Sequence, residues 1–233
     1  MTEPVTLIFG VGPGNGMAFA RRFASGGHRV ALAARDGTRM EAAAAEIPGA
    51  RGYACDVGDG VAVAETVASA SRDLGAPTVL VYNAGSGAWG TADQITPEDL
   101  QRNMDINATG LLRAAQAVLP GMRSAGGGTI LVVGAGAALR GRAGTIAFAA
   151  GKAAQRSVAQ SLARHLGPEG IHVAYLVIDG VIDIPATRTR MPDAPDEVFL
   201  KPAAIAEAGW MLAHQDRSAW TFELDLRPNV EKW

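Results

Sequence analysis

Short apolar runs alternate with longer alanine-rich segments of helical period along almost the whole of this 233-residue chain. Residues 5–9, 29–33, 51–55, 79–82, 129–133, 172–178 and 221–226 are read as strands, and residues 16–25, 38–47, 60–74, 96–123, 145–166 and 202–213 as helices. Most strand runs are apolar on both faces, as a parallel sheet covered by helices on each side requires. Alternation of this kind implies right-handed crossovers and a doubly wound α/β domain. The 48% apolar content is enough for a substantial core, and no compositional break divides the sequence, so residues 1–233 are expected to form one domain.

Other classes are excluded on composition. The 29 glycines follow no three-residue period, which rules out collagen and points to many tight turns. With 21 basic and 23 acidic side chains, the formal charge of -2 gives no broad footprint for nucleic acid or an anionic membrane. Cys55, the single cysteine, can form neither an internal disulfide nor a cysteine zinc site, so a reducing, cytoplasmic setting is expected. The start, Met-Thr-Glu-Pro, is acidic where a signal peptide would be basic. The longest uncharged run, about residues 74–92, is broken by Gly75, Pro77, Gly85, Gly87 and Gly90 and reads as strand and loop, not as a membrane span. Gly167 followed by Pro168 is expected to end a helix with a left-handed residue, and Pro185, Pro192 and Pro195 make residues 184–201 an irregular lid or substrate loop.

Gly10, Gly12, Gly14 and Gly16 follow the first strand directly and open the first helix. Glycines there let the backbone approach a pyrophosphate, whose charge the exposed amides and the helix N-terminus favour. Asp56-Val57 and Asn83-Ala84-Gly85 end two further strands on the same carboxyl edge, where ligands of open α/β sheets bind. Together these motifs resemble the short-chain dehydrogenase/reductase family over nearly the whole chain. The resemblance implies a Rossmann-type, seven-stranded parallel sheet and a nicotinamide cofactor. It places Gly10, Gly12, Gly14, Asn15 and Gly16 at the pyrophosphate, Asp56 and Val57 near the adenine, and Asn83, Ala84 and Gly85 beside the cofactor. Phe9 and Tyr82 stand where the family has Thr and Asn. Ala33-Ala34-Arg35 lacks the acidic residue that would hold a ribose 2′-hydroxyl, so NADP(H) is expected over NAD(H), with Arg35 on the 2′-phosphate; the alternative is that Arg35 pairs with Asp36.

The family's catalytic group is Asn, Ser, Tyr and Lys, the last two spaced Tyr-x-x-x-Lys so that one helix face carries both. Here that segment is Phe148-Ala149-Ala150-Gly151-Lys152, and Ala135 stands thirteen residues before Phe148, at the serine position. Lys152 is assigned to the ribose, Asn107 to the helix asparagine that supports it, and Phe148 to a pocket wall or the core. Phenylalanine carries no ionisable proton, so the usual acid/base route for ketones and alcohols is expected to fail. Asp179, followed by Gly180, has two readings: a carboxylate facing the nicotinamide side, approached by Tyr175 or Tyr82, or a turn residue bonding its own backbone.

The resemblance is to an atypical subgroup with Phe for Tyr. Three functions stay open: an NADP(H)-dependent oxidoreductase acting on a C=N or activated C=C bond of a small molecule, a cofactor-binding sensor or scaffold, and a non-redox enzyme on the same scaffold. Trp89 is assigned to a substrate pocket, and Trp210, Trp220 and Trp233 to helix or subunit packing. His28, His165, His172 and His214 have no metal spacing and are expected at the surface or at helix ends; Cys55 is expected to be a small buried residue. The resemblance also implies a homodimer or homotetramer, paired through helices 96–123 and 145–166, where small residues from Ala149 to Ala154 allow close approach.

Overall fold

The computed structural model describes residues 3–231. Its elements run β1 (Val5–Phe9), α1 (Asn15–Ser25), β2 (Arg29–Ala34), α2 (Gly37–Ala45), β3 (Arg51–Ala54), α3 (Gly60–Leu74), β4 (Val79–Tyr82), α4 (Pro97–Met104), α5 (Gly110–Ser124) and β5 (Gly128–Val133). They continue through α6 (Ile146–Leu166), β6 (Ile171–Ile178), β7 (Val181–Ile182), α7 (Pro185–Arg190), β8 (Phe199–Leu200), α8 (Pro202–Ala213) and β9 (Glu223–Leu226). Seven strands form a parallel sheet in the order β3-β2-β1-β4-β5-β6-β9, with β7 and β8 a separate parallel pair. This is the expected Rossmann-type architecture. The strand order reverses between β1 and β4, and a crevice opens there at the carboxyl ends.

Neighbouring strand residues feed opposite cores, because successive side chains leave a strand on opposite faces. Leu7, Leu80, Ile130 and Val173 pack under α3, α5 and α6, while Ile8, Val81, Leu131 and Ala174 pack under α1, α2 and α8. Helix starts are fixed locally. Asp36 accepts from the Arg39 amide at 3.0 Å, Asp59 from the Val61 amide at 2.8 Å, and Thr96 and Asp99 form a capping box ahead of Pro97. Helices α1 and α8 meet closely because Gly26 lies under Trp210; a Cβ there would fall 2.1 Å from the indole.

Several expectations need correction. The helix expected over 96–123 is interrupted by one π-helical turn at Asp105–Thr109. Side chains draw on its carbonyls at that point: Asn107 Nδ2 donates to Asn103 O at 2.9 Å and Tyr82 Oη donates to Ile106 O at 2.5 Å. Gly167 is right-handed and starts a short 3₁₀ turn, Gly167–Glu169, and the left-handed residue is Gly170, at φ 77°. The stretch 184–201 is more regular than expected, since it holds α7 and β8. His28 and His172 are buried, not at the surface: His28 bonds Thr6 Oγ1 at 2.8 Å among Phe23 and Trp210, and His172 stacks on Trp220 at 4.8 Å. Trp210 and Trp220 thus pack as expected, and Trp233 lies outside the described residues. No helix among the described residues is long and apolar enough to cross a membrane.

Candidate functional site

Two clefts lie end to end over the switch point and share Asn83, Gly85 and Ser86. The first, about 600 Å³, runs over the ends of β1 to β4 and is lined by Gly10, Gly12, Arg35, Asp56, Val57, Asn83, Ala84 and Gly85. Gly10 holds φ 83°, and a Cβ there would lie 2.4 Å from Ala84 Cα, so only glycine lets β1 and β4 finish side by side. Asn83 Nδ2 donates to Gly10 O at 2.7 Å and ties the two strand ends together. That bond anchors the loop from the second residue of the Tyr82-Asn83 pair, while Tyr82 turns into the core.

Glycines 14 and 16 differ from Gly10 and Gly12 in their surroundings. Gly16 packs against the Val11 backbone, and Gly14 lies under Ile184, whose Cγ2 would be 2.6 Å from an added Cβ. Asn15 lines the second cleft instead of the first. Asp36 caps α2, so its carboxylate is committed to the Arg39 amide, and Arg35 has no ion pair among the described residues. Arg39 and Arg102 also line this cleft, and Arg39 Nη2 reaches Val11 O at 3.3 Å. Both are additions to the sequence reading; Arg39, four residues after Arg35, was findable as a second guanidinium at the first turn of α2. Asp56 closes a turn by accepting from the Gly58 amide at 2.9 Å. Cys55 is buried at the cleft floor, and burial holds its thiol above the usual range.

The second cleft, about 580 Å³, lies beyond Gly85 and brings together Ala135, Phe148, Lys152, Asp179 and Trp89. Lys152 is buried on α6, its Nζ donating to Val133 O at 3.0 Å and Gln155 Oε1 at 3.1 Å. With no carboxylate beside it, desolvation pulls its pKa down to about 7. Gln155 is 0% exposed, and its Nε2 has no partner among the described residues. It was missed in the sequence, although i,i+3 spacing from Lys152 is itself a signal. Asn107 Nδ2 donates to Ser86 O and Asn103 O, while its buried Oδ1, pointed at Gly85, has no partner among the described residues.

Phe148 stands one helical turn before Lys152, and its ring lies 4.7 Å from Trp89. The two rings form an apolar wall. Ala135 lies between Gly134 and Gly136, and neither glycine could carry a side chain: a Cβ on Gly134 would meet Tyr175 and one on Gly136 would meet Asp179. The cleft's hydroxyls are engaged. Thr145 Oγ1 donates to Arg142 O, Thr187 Oγ1 to Ile184 O, and Ser86 Oγ to Asn103 Oδ1. Asp179 is clamped by Arg140, at 2.8 and 2.9 Å, with Arg227 at 3.4 Å. Asp179 lines the cleft as an ion-paired carboxylate and does not bond its own turn backbone. Tyr175 and Tyr82 are both fully buried, and neither lines the cleft.

The site fits a nicotinamide dinucleotide on the chain's own features: the glycine turn at Gly10 and Gly12, the guanidiniums of Arg35, Arg39 and Arg102, and the buried Oδ1 atoms of Asn15 and Asn107, which have no partner among the described residues. Gly10, Gly12, Asn83 and Gly85 would hold its phosphates and ribose, with Lys152 and Asn107 beyond them. No group of three or more metal-ligating side chains occurs among the described residues.

The chain is similar in sequence and fold to known proteins. The chain is 39% identical over 155 residues to an inactive 2-(S)-hydroxypropyl-CoM dehydrogenase 2 of Xanthobacter autotrophicus, covering 66% of this chain and 67% of that one. The structure of a 3-ketoacyl-(acyl-carrier-protein) reductase of Brucella melitensis with NADH aligns over 98% of each chain, with TM-score 0.88 and 30% identity. At 23% identity, an NADPH-bound short-chain oxidoreductase of Pseudomonas aeruginosa with an atypical catalytic center shares the fold over 100% of each chain, with TM-score 0.89. The short chain dehydrogenase model matches residues 4–194, and the chain belongs to the short-chain dehydrogenase/reductase family.

Proposed function

We propose that this protein is an NADP(H)-dependent oxidoreductase of an atypical subgroup, working without the family's serine and tyrosine on a C=N or activated C=C bond of a small molecule. The observation that carries this reading is the pair Phe148 and Lys152: one helix face keeps the buried lysine and offers an aromatic wall where a proton donor would stand. A bound nicotinamide supplies or accepts hydride. Lys152 holds the ribose and, with a pKa near 7, is the one group in the cleft able to gain or lose a proton close to neutrality. Phe148 and Trp89 offer a planar acceptor an aromatic face. An iminium carries its own positive charge and forms no alkoxide on reduction, so it needs no phenol. Arg35 and Arg39, with Asp36 turned into its cap, favour a 2′-phosphate.

The test uses purified protein, NADPH and NADH, and a panel of cyclic imines, enones and ketones. NADPH binding at least about tenfold tighter than NADH is expected, with NADPH oxidation by imines or enones and little by ketones. The double variant Phe148→Tyr with Ala135→Ser should gain ketone reduction; if it binds NADPH and gains none, the positions assigned to the missing pair are wrong. A second reading, an NADP(H)-binding sensor, is favoured by the clamping of Asp179, the carboxylate nearest the Ala135 position, by Arg140 and Arg227. It predicts binding with no turnover on any panel member.

A further inference from the structure

The second cleft is polar in an uneven way. Part of its lining is apolar, made by Trp89, Phe148, Ile178 and Ile182, and part is made by arginines 140, 142 and 190, all exposed. They are not equivalent. Arg140 is spent on Asp179, in a two-bond contact, and the charge of Glu231 acts on it as well. Arg142 and Arg190 make no side-chain hydrogen bond and no ion pair among the described residues.

The surroundings of Arg190 give this contrast a cause. Arg188, two residues earlier on α7, pairs with Asp183 at 2.7 Å and Asp196 at 2.6 Å and lies 3.9 Å over the Phe199 ring. Residues two apart on a helix point to different sides. Arg188 therefore latches α7 to the β7–β8 region, and Arg190 is left beside the cleft. Arg142 arrives from a separate segment, the turn before α6, where its amide donates to Thr145 Oγ1 at 2.8 Å and fixes the backbone. Two guanidiniums from separate segments thus border one cavity; the one other carboxylate in its lining, Glu231, makes no ion pair with either among the described residues. Exposed arginine forks of this kind match a planar oxyanion.

We propose that the substrate is a small monoanion, with a flat apolar or unsaturated body against Trp89 and Phe148 and a carboxylate or sulfonate held between Arg142 and Arg190. This rests on the second cleft being the substrate site, as proposed above. Arg142 and Arg190 are then specificity residues that discriminate by charge, and Arg190 is held beside the cleft by the latching of α7 through Arg188.

Matched probes test the idea. Δ1-pyrroline-2-carboxylate is compared with 2-methyl-1-pyrroline, and 4-oxopent-2-enoate with 3-penten-2-one, by calorimetric titration of the full chain with and without saturating NADP⁺. The carboxylate of each pair is expected to bind at least about tenfold tighter, with the gap narrowing at about 0.5 M salt as screening sets in. Arg142→Gln with Arg190→Gln should abolish the gap, and Arg164→Gln, which removes an exposed arginine from the far part of α6, should keep it. Equal affinity within both pairs, no binding of either carboxylate, or a preference that survives the double variant overturns the proposal. Because the readout is binding, a failure of NADPH oxidation sinks the redox reading and leaves this one standing; NADPH oxidation by the neutral probes with no preference for the carboxylates does the reverse.

Discussion

Lys152 and Gln155 lie three residues apart on α6, both sealed from water, and the amide oxygen of one is a hydrogen-bond acceptor for the ammonium of the other. A lysine whose folded pKa is about 7, against 10.5 ordinarily, binds fewer protons folded than unfolded between those values. Stability must then rise with pH across that window, by at most about 1.4 kcal/mol per pH unit from this group. Below pH 7 the full cost of the buried charge is present. Lys152→Met is expected to remove this slope and to raise stability at and below pH 7, as read by urea unfolding at a series of pH values. Gln155→Leu, which deletes an acceptor for the charged form, should start the rise at lower pH. An unchanged profile in both variants would mean that Lys152 is better solvated than its surroundings imply. The register of Lys152 and its neighbour Phe148 was legible in the sequence. The clamp on Asp179 was not, because Arg140 and Arg227 reach it from segments about forty or more residues away in the chain.

The single π turn at Asp105–Thr109 is where one element departs from what its period suggests. Periodicity over 96–123 reports one continuous helix because the pattern of apolar residues averages over a one-residue insertion. What it lacks is the hydroxyl of Tyr82, twenty-four residues earlier, which takes Ile106 O, and the Asn107 side chain, which takes Asn103 O. The turn aims Asn107 at Gly85 and Lys152 and so belongs to the site. Tyr82→Phe should cost about 1 kcal/mol, since it removes a donor from a half-buried carbonyl. Equilibrium denaturation measures this; a cost below about 0.5 kcal/mol would show that another donor replaces the phenol. Gly167 teaches a similar lesson. Gly-Pro marks a helix end, but the glycine that reverses the chain is Gly170, and both lie within four residues.

For the molecule as a whole, seven strands and their helices were legible because parallel strands buried on both faces leave an apolar signature that side-chain detail scarcely alters. Assembly is less visible. Ala149 and Gly151, expected to face another subunit, are buried within the chain, Gly151 against Asn103 O of α4. Leu112 on α5 and Ile146 at the start of α6 are large apolar residues left 38% and 39% exposed, and they are the better candidates for a subunit contact. A homodimer or homotetramer is accordingly expected in sedimentation, with Leu112→Glu and Ile146→Glu together shifting it towards monomer. A wild-type chain sedimenting as a monomer at micromolar concentration would refute the expectation.

Cys55 has a practical consequence. It is the chain's one thiol, it sits on the floor of the nucleotide cleft, and burial keeps it protonated at neutral pH. Alkylation by iodoacetamide should therefore be slow and leave a single mass increment, and NADPH should slow it further in proportion to the fraction of protein loaded. The molecule contains its own gauge of occupancy, one that needs neither a substrate nor turnover; labelling indifferent to NADPH would show that the nucleotide leaves this floor uncovered.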